Sequence, residues 1–344
     1  MVTNAMKEPV IETAGGADGA LLGKVVRRQD VILLGIFVLM VALFSALNPR
    51  FFSLPAAANI LQDFSPVVLM AIGETFVIVS GGIDLSVGST LGLSGIMMAL
   101  VIRTCNAAAV DPTLTISLGL AAALATGAAI GIVNGLLIAY IRMAPFVATL
   151  ATLGAGAGFS LVLTGGVQIA GAPKQVILVG NASYLAVLTA PVIVVLVIMT
   201  VAWTFMSFAR FGRWTYAIGS NAFAARAAGI PVQRHLVRIY VLAGVLAALA
   251  GAFVYFRLGS GSPMSGRGGE LAAIAAAVIG GISLQGGTGS ITGAYVGALI
   301  TSSVLSGLIL IGIQPNWQQI VVAALIAVAV SVQGFGGSKQ GLGA

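Results

Sequence analysis

The feature that most constrains this chain is a series of long apolar segments that carry almost no charge. Residues 184–208, for example, contain no charged side chain. Charged residues make up 7% of the 344 residues, whereas soluble domains carry roughly 25% because their surfaces face water. This number of charges is too small to cover the surface of a 344-residue protein in water. The folded chain must therefore present much of its surface to lipid.

Ten apolar segments are long enough, or nearly long enough, to cross a bilayer. Spanning structures satisfy every backbone group internally, which leaves helical bundles and closed barrels, and a barrel strand needs only about 9–11 residues. The longer continuous segments here predict an all-α polytopic membrane protein. The predicted spans are residues 31–47, 64–80, 86–102, 114–141, 146–164, 184–208, 236–257, 271–284, 291–312 and 317–333. We expect the third and eighth to be short, like half-helices that line a cavity.

The basic residues predict how the spans are oriented. We expect a cytoplasmic tail at residues 1–30, a transmembrane domain at residues 31–333 and a second cytoplasmic tail at residues 334–344. Basic residues then concentrate inside, as the positive-inside rule requires. The inner group is Lys7, Lys24, Arg27, Arg28, Arg142, Arg210, Arg213, Arg226, Arg234, Arg238 and Lys339, and the outer group is Arg50, Arg103, Lys174, Arg257 and Arg267. Because these charges lie between apolar segments and form no aromatic-rich patch, we expect a lipid bilayer and no nucleic acid as partner.

An internal repeat divides the chain. The run Gly81-Gly82-Ile83-Asp84-Leu85 recurs as Gly280-Gly281-Ile282-Ser283-Leu284, and each copy lies between two apolar segments. Duplicated halves are common in transport proteins, where the path lies at the repeat interface. The glycines let the backbone leave helical geometry, either to line a polar cavity or to make an ordinary turn. Counted along the chain, the spans that precede the two copies run in the same direction, so inverted halves would require the number of spans between them to differ by one.

Two acidic residues are candidates for function, because ionisable groups inside a membrane are costly. Glu74 lies within the second span and either lines the path or makes a buried structural hydrogen bond. Asp84 follows that span and either caps the third span or contacts the solute. The predicted translocation path comprises Glu74, Gly81, Gly82, Asp84, Ser86, Gly280, Gly281 and Ser283.

The loop at residues 209–235 is the most informative segment outside the predicted membrane. Ser220 or Asn221 can cap a short helix that Gly229 stops. Phe223 alone would give this helix little apolar surface for lying on a bilayer. The pattern therefore favours docking onto another protein.

Several motifs for chemistry are absent from the sequence. It contains no G-x-x-x-x-G-K-[ST] phosphate loop and a single histidine, His235, which excludes a His-pair metal motif. We therefore predict a transport subunit that is not an enzyme, with no catalytic or metal site and no cofactor of its own.

Five segments resemble the permease family of ribose-type carbohydrate ABC importers, in the family's order from about residue 31 to about residue 333. They are residues 81–89, 144–150, 213–230, 274–281 and 317–319. The resemblance implies a type II ABC-importer-like permease in the bacterial inner membrane that moves a monosaccharide or similar polyol. It also implies three partners: a second permease copy, a periplasmic sugar-binding protein and a cytoplasmic ABC ATPase that holds ATP and Mg²⁺.

The same resemblance implies which residues face the ATPase. Carried over onto this sequence, they are Gly212, Arg213, Ala217, Gly219, Asn221, Ala225, Arg226, Gly229 and Ile230. The chain departs from the family at Ala222 and Phe223, where acidic or polar residues are frequent. That departure puts the chemistry of the docking contact in question, but not its place.

Two other functions fit the residues. A related importer for branched-chain amino acids or nucleosides would share much of this pattern, although the Ile83-Asp84-Leu85-Ser86 form of the glycine segment favours sugar. An ion-coupled secondary transporter could use Glu74 and Asp84 as proton or cation sites. It would take up solute as a lone chain, independently of ATP.

Overall fold

The computed structural model describes residues 28–184, 187–314 and 316–337, and these residues are mostly helical. The helices are α1 Arg28–Leu47, α2 Leu54–Val79, α3 Val87–Ala107, α4 Pro112–Ala139, α5 Pro145–Thr164, α6 Lys174–Asn181, α7 Ala190–Phe208, α8 Arg210–Ser220, α9 Ala222–Ala227, α10 Val232–Leu258, α11 Gly269–Ile279, α12 Ile291–Leu310 and α13 Trp317–Gly337. A 3-10 turn at Pro49–Phe51 follows α1. A small antiparallel pair, β1 Ser183–Tyr184 and β2 Leu188–Thr189, precedes α7.

Ten of these helices correspond in order to the ten predicted spans. Within the described residues, α2, α3, α4, α5, α7, α10 and α12 are long and apolar enough to cross a membrane. Shorter apolar stretches lie in α1, α11 and α13. The polytopic helical fold is thus confirmed. The eighth span, α11, has 11 residues as expected, but α3 has 21. The prediction of a short third span is wrong, because its glycines lie inside a continuous helix.

The helix ends follow from local sequence. Asp111 caps α4 by accepting hydrogen bonds from the amides of Thr113 at 2.9 Å and Leu114 at 3.1 Å. Proline fits the first turn of a helix, where no amide is needed, and Pro112 and Pro145 begin α4 and α5.

Helix α10 lies at the centre of the bundle and packs against α2, α3 and α4. Glycine allows the closest of these approaches: a Cβ atom on Gly127 of α4 or on Gly244 of α10 would collide with the carbonyl of the other. Small residues give such close packing where no hydrophobic effect drives helices together. Helices α4, α5 and α7 expose apolar side chains on their outer faces, which suits contact with lipid.

The two copies of the repeat meet at one end of the bundle. We call residues 80–86 the first glycine loop and residues 280–290 the second glycine loop. The amide of Gly287 donates to the carbonyl of Val79 at 2.9 Å, and a Cβ atom on Gly286 would lie 3.1 Å from Cα of Gly81. Helices α2 and α11 therefore run toward the same end, as expected.

The predicted tails can be placed only in part. Helix α1 already begins at Arg28, and α13 continues to Gly337. The remainder of the two tails, residues 1–27 and 338–344, lies outside the described residues.

Candidate functional site

Helices α8 and α9 lie in the loop between α7 and α10, and of the two only α9 was predicted from the sequence. The side chain of Asn221 caps α9 by accepting a hydrogen bond from the amide of Ala224 at 2.9 Å. Gly229 follows α9 with a φ of +81°, a conformation that glycine adopts without strain. The prediction of a short capped helix that ends at Gly229 is confirmed.

One face of α8 is packed against the start of α10. Thr215 Oγ1 and His235 Nε2 lie 2.9 Å apart, and the ring centroids of Phe211 and His235 are 4.5 Å apart. Gly212 fits against the backbone of Met206, where a Cβ atom would collide. These contacts hold α8 against α7 and α10.

The C-terminal end of α8 contacts the last residue of α2 and the second glycine loop. Gly219 packs against the carbonyl of Val79 and the amide of Gly287, leaving no room for a Cβ atom. The hydroxyl of Tyr216 donates to the carbonyl of Gly289 at 2.8 Å. A Cβ atom on Gly287 would lie 2.7 Å from Ser220 Oγ. The two copies of the repeat and α8 therefore meet at one point.

Helix α9 projects from this point with one face packed and one face exposed. Ala225 is buried in a small apolar cluster with Ile218 and Val232. On the other side, Phe223 is 85% exposed and Arg226 is also exposed. Of the predicted coupling residues, Gly212, Ala225 and the half-buried Ala217, Gly219 and Ile230 face the protein, whereas Arg213, Asn221, Arg226 and Gly229 are exposed. The exposed face of α9 is the surface that a partner could reach.

The first glycine loop is fixed by a chain of buried hydrogen bonds. Asp84 Oδ1 accepts from the amide of Ser86 at 2.8 Å and from its hydroxyl at 2.6 Å. Ser86 Oγ accepts from Asn134 Nδ2 at 2.8 Å, and Asn134 Oδ1 accepts from Thr152 Oγ1 at 2.7 Å. The network ties the loop to α4 and α5. Asn134 was not predicted, although a polar residue within an apolar segment is a signal of such a role.

Glu74 and Asp84 lie in the packed interior rather than on an open wall. Glu74 is 0% exposed and Asp84 is 1% exposed. Glu74 Oε2 accepts from the amide of Asp84 at 3.5 Å, and no donor among the described residues reaches Oε1. The hydroxyl of Tyr240 lies against Gly82 beside them. For Asp84 this geometry favours a turn that starts α3, and a path role for either carboxyl stays a prediction.

The second glycine loop is more accessible, and among the described residues it keeps one bond of the Asp84 arrangement but has no counterpart of the bonds to Asn134 and Thr152. Gly280 is buried against Gly293 of α12. Gly281 turns the chain with a φ of +83°, and the partly exposed Ser283 accepts from the amide of Gln285 at 3.3 Å. The predicted path residues therefore divide. Gly81, Gly281 and Ser283 are at least partly exposed, whereas Glu74, Gly82, Asp84, Ser86 and Gly280 are buried.

At the other end of α10 an ion pair borders a pocket. Arg257 pairs with Asp63 of α2, and Ser306 of α12 lies within 3.5 Å of the same carboxylate. The pocket has a volume of about 350 Å³. This end of the bundle thus carries polar groups well away from α8 and α9.

Comparison with known proteins agrees with this architecture. Residues 56–330 match a family described as branched-chain amino acid transport system / permease component. The chain is 42% identical over 299 residues to the ribose import permease protein RbsC of Bacillus subtilis, which covers 86% of this chain and 90% of the relative.

Other relatives carry different names. The D-allose transport system permease protein AlsC of Escherichia coli is 36% identical, over 86% of this chain and 89% of its own length. The galactose/methyl galactoside import permease protein MglC of Haemophilus influenzae is 34% identical, over 90% of this chain and 93% of its own length. No solved structure matches the chain.

Proposed function

Because this chain belongs to the branched-chain amino acid transport system / permease component family, we propose that it is the membrane-spanning permease subunit of an ATP-driven sugar importer. The family description names amino acids, whereas the similar curated proteins are named for ribose, D-allose and galactose. Their similarity extends over most of both chains. It therefore favours a monosaccharide over a branched-chain amino acid or a nucleoside.

The contact of α8 with both the end of α2 and the second glycine loop is the observation that carries this proposal. A permease without a nucleotide site needs an element through which a separate ATPase can move its spans. The end of α8 packs on Val79 and Gly287, and α9 exposes Phe223 and Arg226 beside it. A force applied to α9 therefore reaches both halves of the chain at once.

This function defines the partners and the orientation. The ATPase subunit, which holds ATP and Mg²⁺, docks on α9 from the cytoplasm, so both termini are cytoplasmic. A binding protein delivers the sugar at the opposite end, where the Asp63–Arg257 ion pair borders the pocket. A second copy of the chain completes the permease in the bacterial inner membrane. The chain itself binds no cofactor.

Reconstitution into vesicles tests the proposal. The chain is incorporated with its ATPase subunit, the binding protein is added outside, and uptake of radiolabelled ribose is followed with and without ATP inside. We expect accumulation only with all three proteins and ATP. Competition with allose, galactose and leucine separates the substrate classes. Accumulation by this chain alone would overturn the proposal.

The same vesicles distinguish an ion-coupled transporter. That function would require Glu74 to gain and lose a charge, and Glu74→Gln would abolish uptake driven by a proton or sodium gradient. For an ATP-driven permease we expect ATP-dependent uptake to persist in Glu74→Gln, since the amide keeps the shape of the buried side chain. Loss of uptake with normal ATPase binding would favour a path or ion role for Glu74.

A further inference from the structure

We propose that a polar cleft between α3, α5 and residues 259–268 binds the transported sugar on its way through the membrane. This inference rests on the function proposed above and assigns a site to it. The cleft has a volume of about 300 Å³, at the lower end of the range for small-molecule sites. Its polar lining is Ser89, Ser160, Ser265, Arg267 and Glu270.

The floor of the cleft lies near the middle of the bilayer. A Cβ atom on Gly156 would lie 2.8 Å from Ser89 Oγ. Gly156 is close to the centre of α5, whose 20 residues rise about 30 Å in total. That length equals the thickness of the hydrocarbon core. Ser89 is therefore about as far from one surface of the membrane as from the other.

The chain reaches this depth because residues 259–268 fold back into the bundle. Helix α10 ends at Gly259, and the amide of Ile169 donates to the carbonyl of Gly261 at 2.7 Å. A Cβ atom on Gly261 would lie 2.8 Å from Cβ of Ala99. Further along, the carboxylate of Glu270 packs against Gly88. The segment thus descends along α3 from Ala99 to Gly88, and α11 starts inside the membrane. Irregular backbone at this depth is tolerated where it lines a cavity.

Two charged side chains in the cleft have no ion pair. Among the described residues the ion pair found is that of Arg257 with Asp63, so neither Arg267 nor Glu270 is neutralised by direct contact. A charge that faces lipid at mid-depth costs about 2.5–3.5 kcal/mol. Beside the cleft, Gly154 and Gly158 of α5 have no neighbour within 4 Å of a Cβ position. A second copy of the chain packed on this face would separate the cleft from lipid, so that the cleft stays filled with water.

The lining suits a neutral molecule with several hydroxyl groups. Serine hydroxyls both donate and accept hydrogen bonds, the carboxylate of Glu270 accepts, and the guanidinium of Arg267 donates. The two charges are equal and opposite, so an anion gains little. The residues that line the cleft include no aromatic side chain, which suits a site that must release its solute.

Cysteine labelling of the complete transporter tests whether the cleft is filled with water and open to soluble reagents. Cys105 is the single cysteine of the chain, so Cys105→Ser gives a background without thiols. Ser89→Cys and Ser265→Cys, at partly exposed positions of the lining, are added singly and treated with a membrane-impermeant thiol reagent, which needs a hydrated thiolate. Ser94→Cys is the matched control on α3, because Ser94 is 0% exposed. Val197→Cys on α7, 57% exposed, is the control for a lipid-facing position.

We expect the two cleft cysteines to react at least about tenfold faster than either control and the labelled transporter to lose most ribose uptake. Reaction no faster than at Ser94→Cys, or complete labelling with unchanged uptake, would overturn the proposal.

A second measurement tests the proposal even if a cysteine variant folds poorly. Glu270→Gln and Arg267→Gln should lower ribose uptake at least about tenfold, equivalent to about 1.4 kcal/mol, while ATP hydrolysis changes less than about twofold. Arg50→Gln, at the exposed 3-10 turn, is their control.

The unsubstituted transporter separates the two proposals. If it shows no ATP-dependent ribose uptake, the proposed function itself is wrong. If it transports ribose and the cleft variants do so equally well, only the site is wrong.

Discussion

The amide of Gly287 donates a hydrogen bond to the carbonyl of Val79 at 2.9 Å. This bond joins the second glycine loop to the last residue of α2, although more than half of the chain separates the two residues. Gly219 of α8 packs against both atoms of the bond. The contact therefore makes the end of α8 a common support for the two halves of the repeat.

Replacing Gly219 by alanine should damage this support. The added Cβ atom would collide with the carbonyl of Val79, and backbone cannot move aside as easily as a side chain. Overpacking of this kind costs about 1–3 kcal/mol. We expect a lower unfolding midpoint in detergent and a loss of ATP-driven uptake. Gly35→Ala on α1, where the Cβ position has nothing within 4 Å, is the control and should lower neither, because alanine is the better helix former.

Removing the side chain of Asn134 should destabilise the first glycine loop. Asn134→Ala removes the hydrogen bonds of Asn134 with the hydroxyls of Ser86 and Thr152, at a cost of about 0.5–1.5 kcal/mol for each bond. Denaturant unfolding in micelles measures the change. Thr126→Val is the control on the same helix, because the hydroxyl of Thr126 bonds only to the carbonyl of Ala122 one turn away. Equal stability of the two variants would contradict a structural role for the network.

The end of α9 should be essential for transport but not for membrane insertion. In Gly229→Pro the residue cannot adopt the φ of +81° found at this position, because proline fixes φ near −65°. The variant also loses the hydrogen bond from the amide of residue 229 to the carbonyl of Arg226. Arg226→Glu reverses an exposed charge. We expect both to abolish ATP-driven uptake with normal amounts of protein in the membrane, whereas Arg226→Lys retains uptake. Normal transport by Gly229→Pro and Arg226→Glu would argue against docking at α9.

Phe223 should anchor the ATPase subunit. Its side chain is 85% exposed and remains in contact with solvent unless a partner covers it. Aromatic side chains that become buried on binding contribute much of the binding energy at interfaces. We expect Phe223→Ala to weaken ATPase binding by about tenfold or more, measured by titration of the ATPase onto permease in nanodiscs. Phe52→Ala is the control, since Phe52 is 80% exposed near the opposite end of the bundle. Equal affinities for both variants would place the contact elsewhere.

Sequence reasoning succeeded where local composition decides the structure. Apolar length located the spans, and the capping pattern around Asn221 and Gly229 located α9. The short α11 followed from its glycine boundaries. These features depend on residues within one or two turns of each other, so a single sequence contains the information.

The neighbours of these elements could not be predicted in the same way. Hydropathy shows that a segment crosses the membrane but not which face meets which helix. The contact of Gly219 with Val79, and the descent of residues 259–268 that brings Glu270 against Gly88, depend on packing between distant segments. For the same reason Glu270, which the apolar pattern places near the edge of a span, lies deep in the cleft.

The joint between the two glycine loops consists of main-chain atoms, and this has a consequence for how such proteins can diverge. At Gly219 and Gly287 it requires positions free of a Cβ atom rather than a particular side chain. Under the function proposed above, related permeases can therefore differ in the sugar that they carry while this main-chain contact is kept.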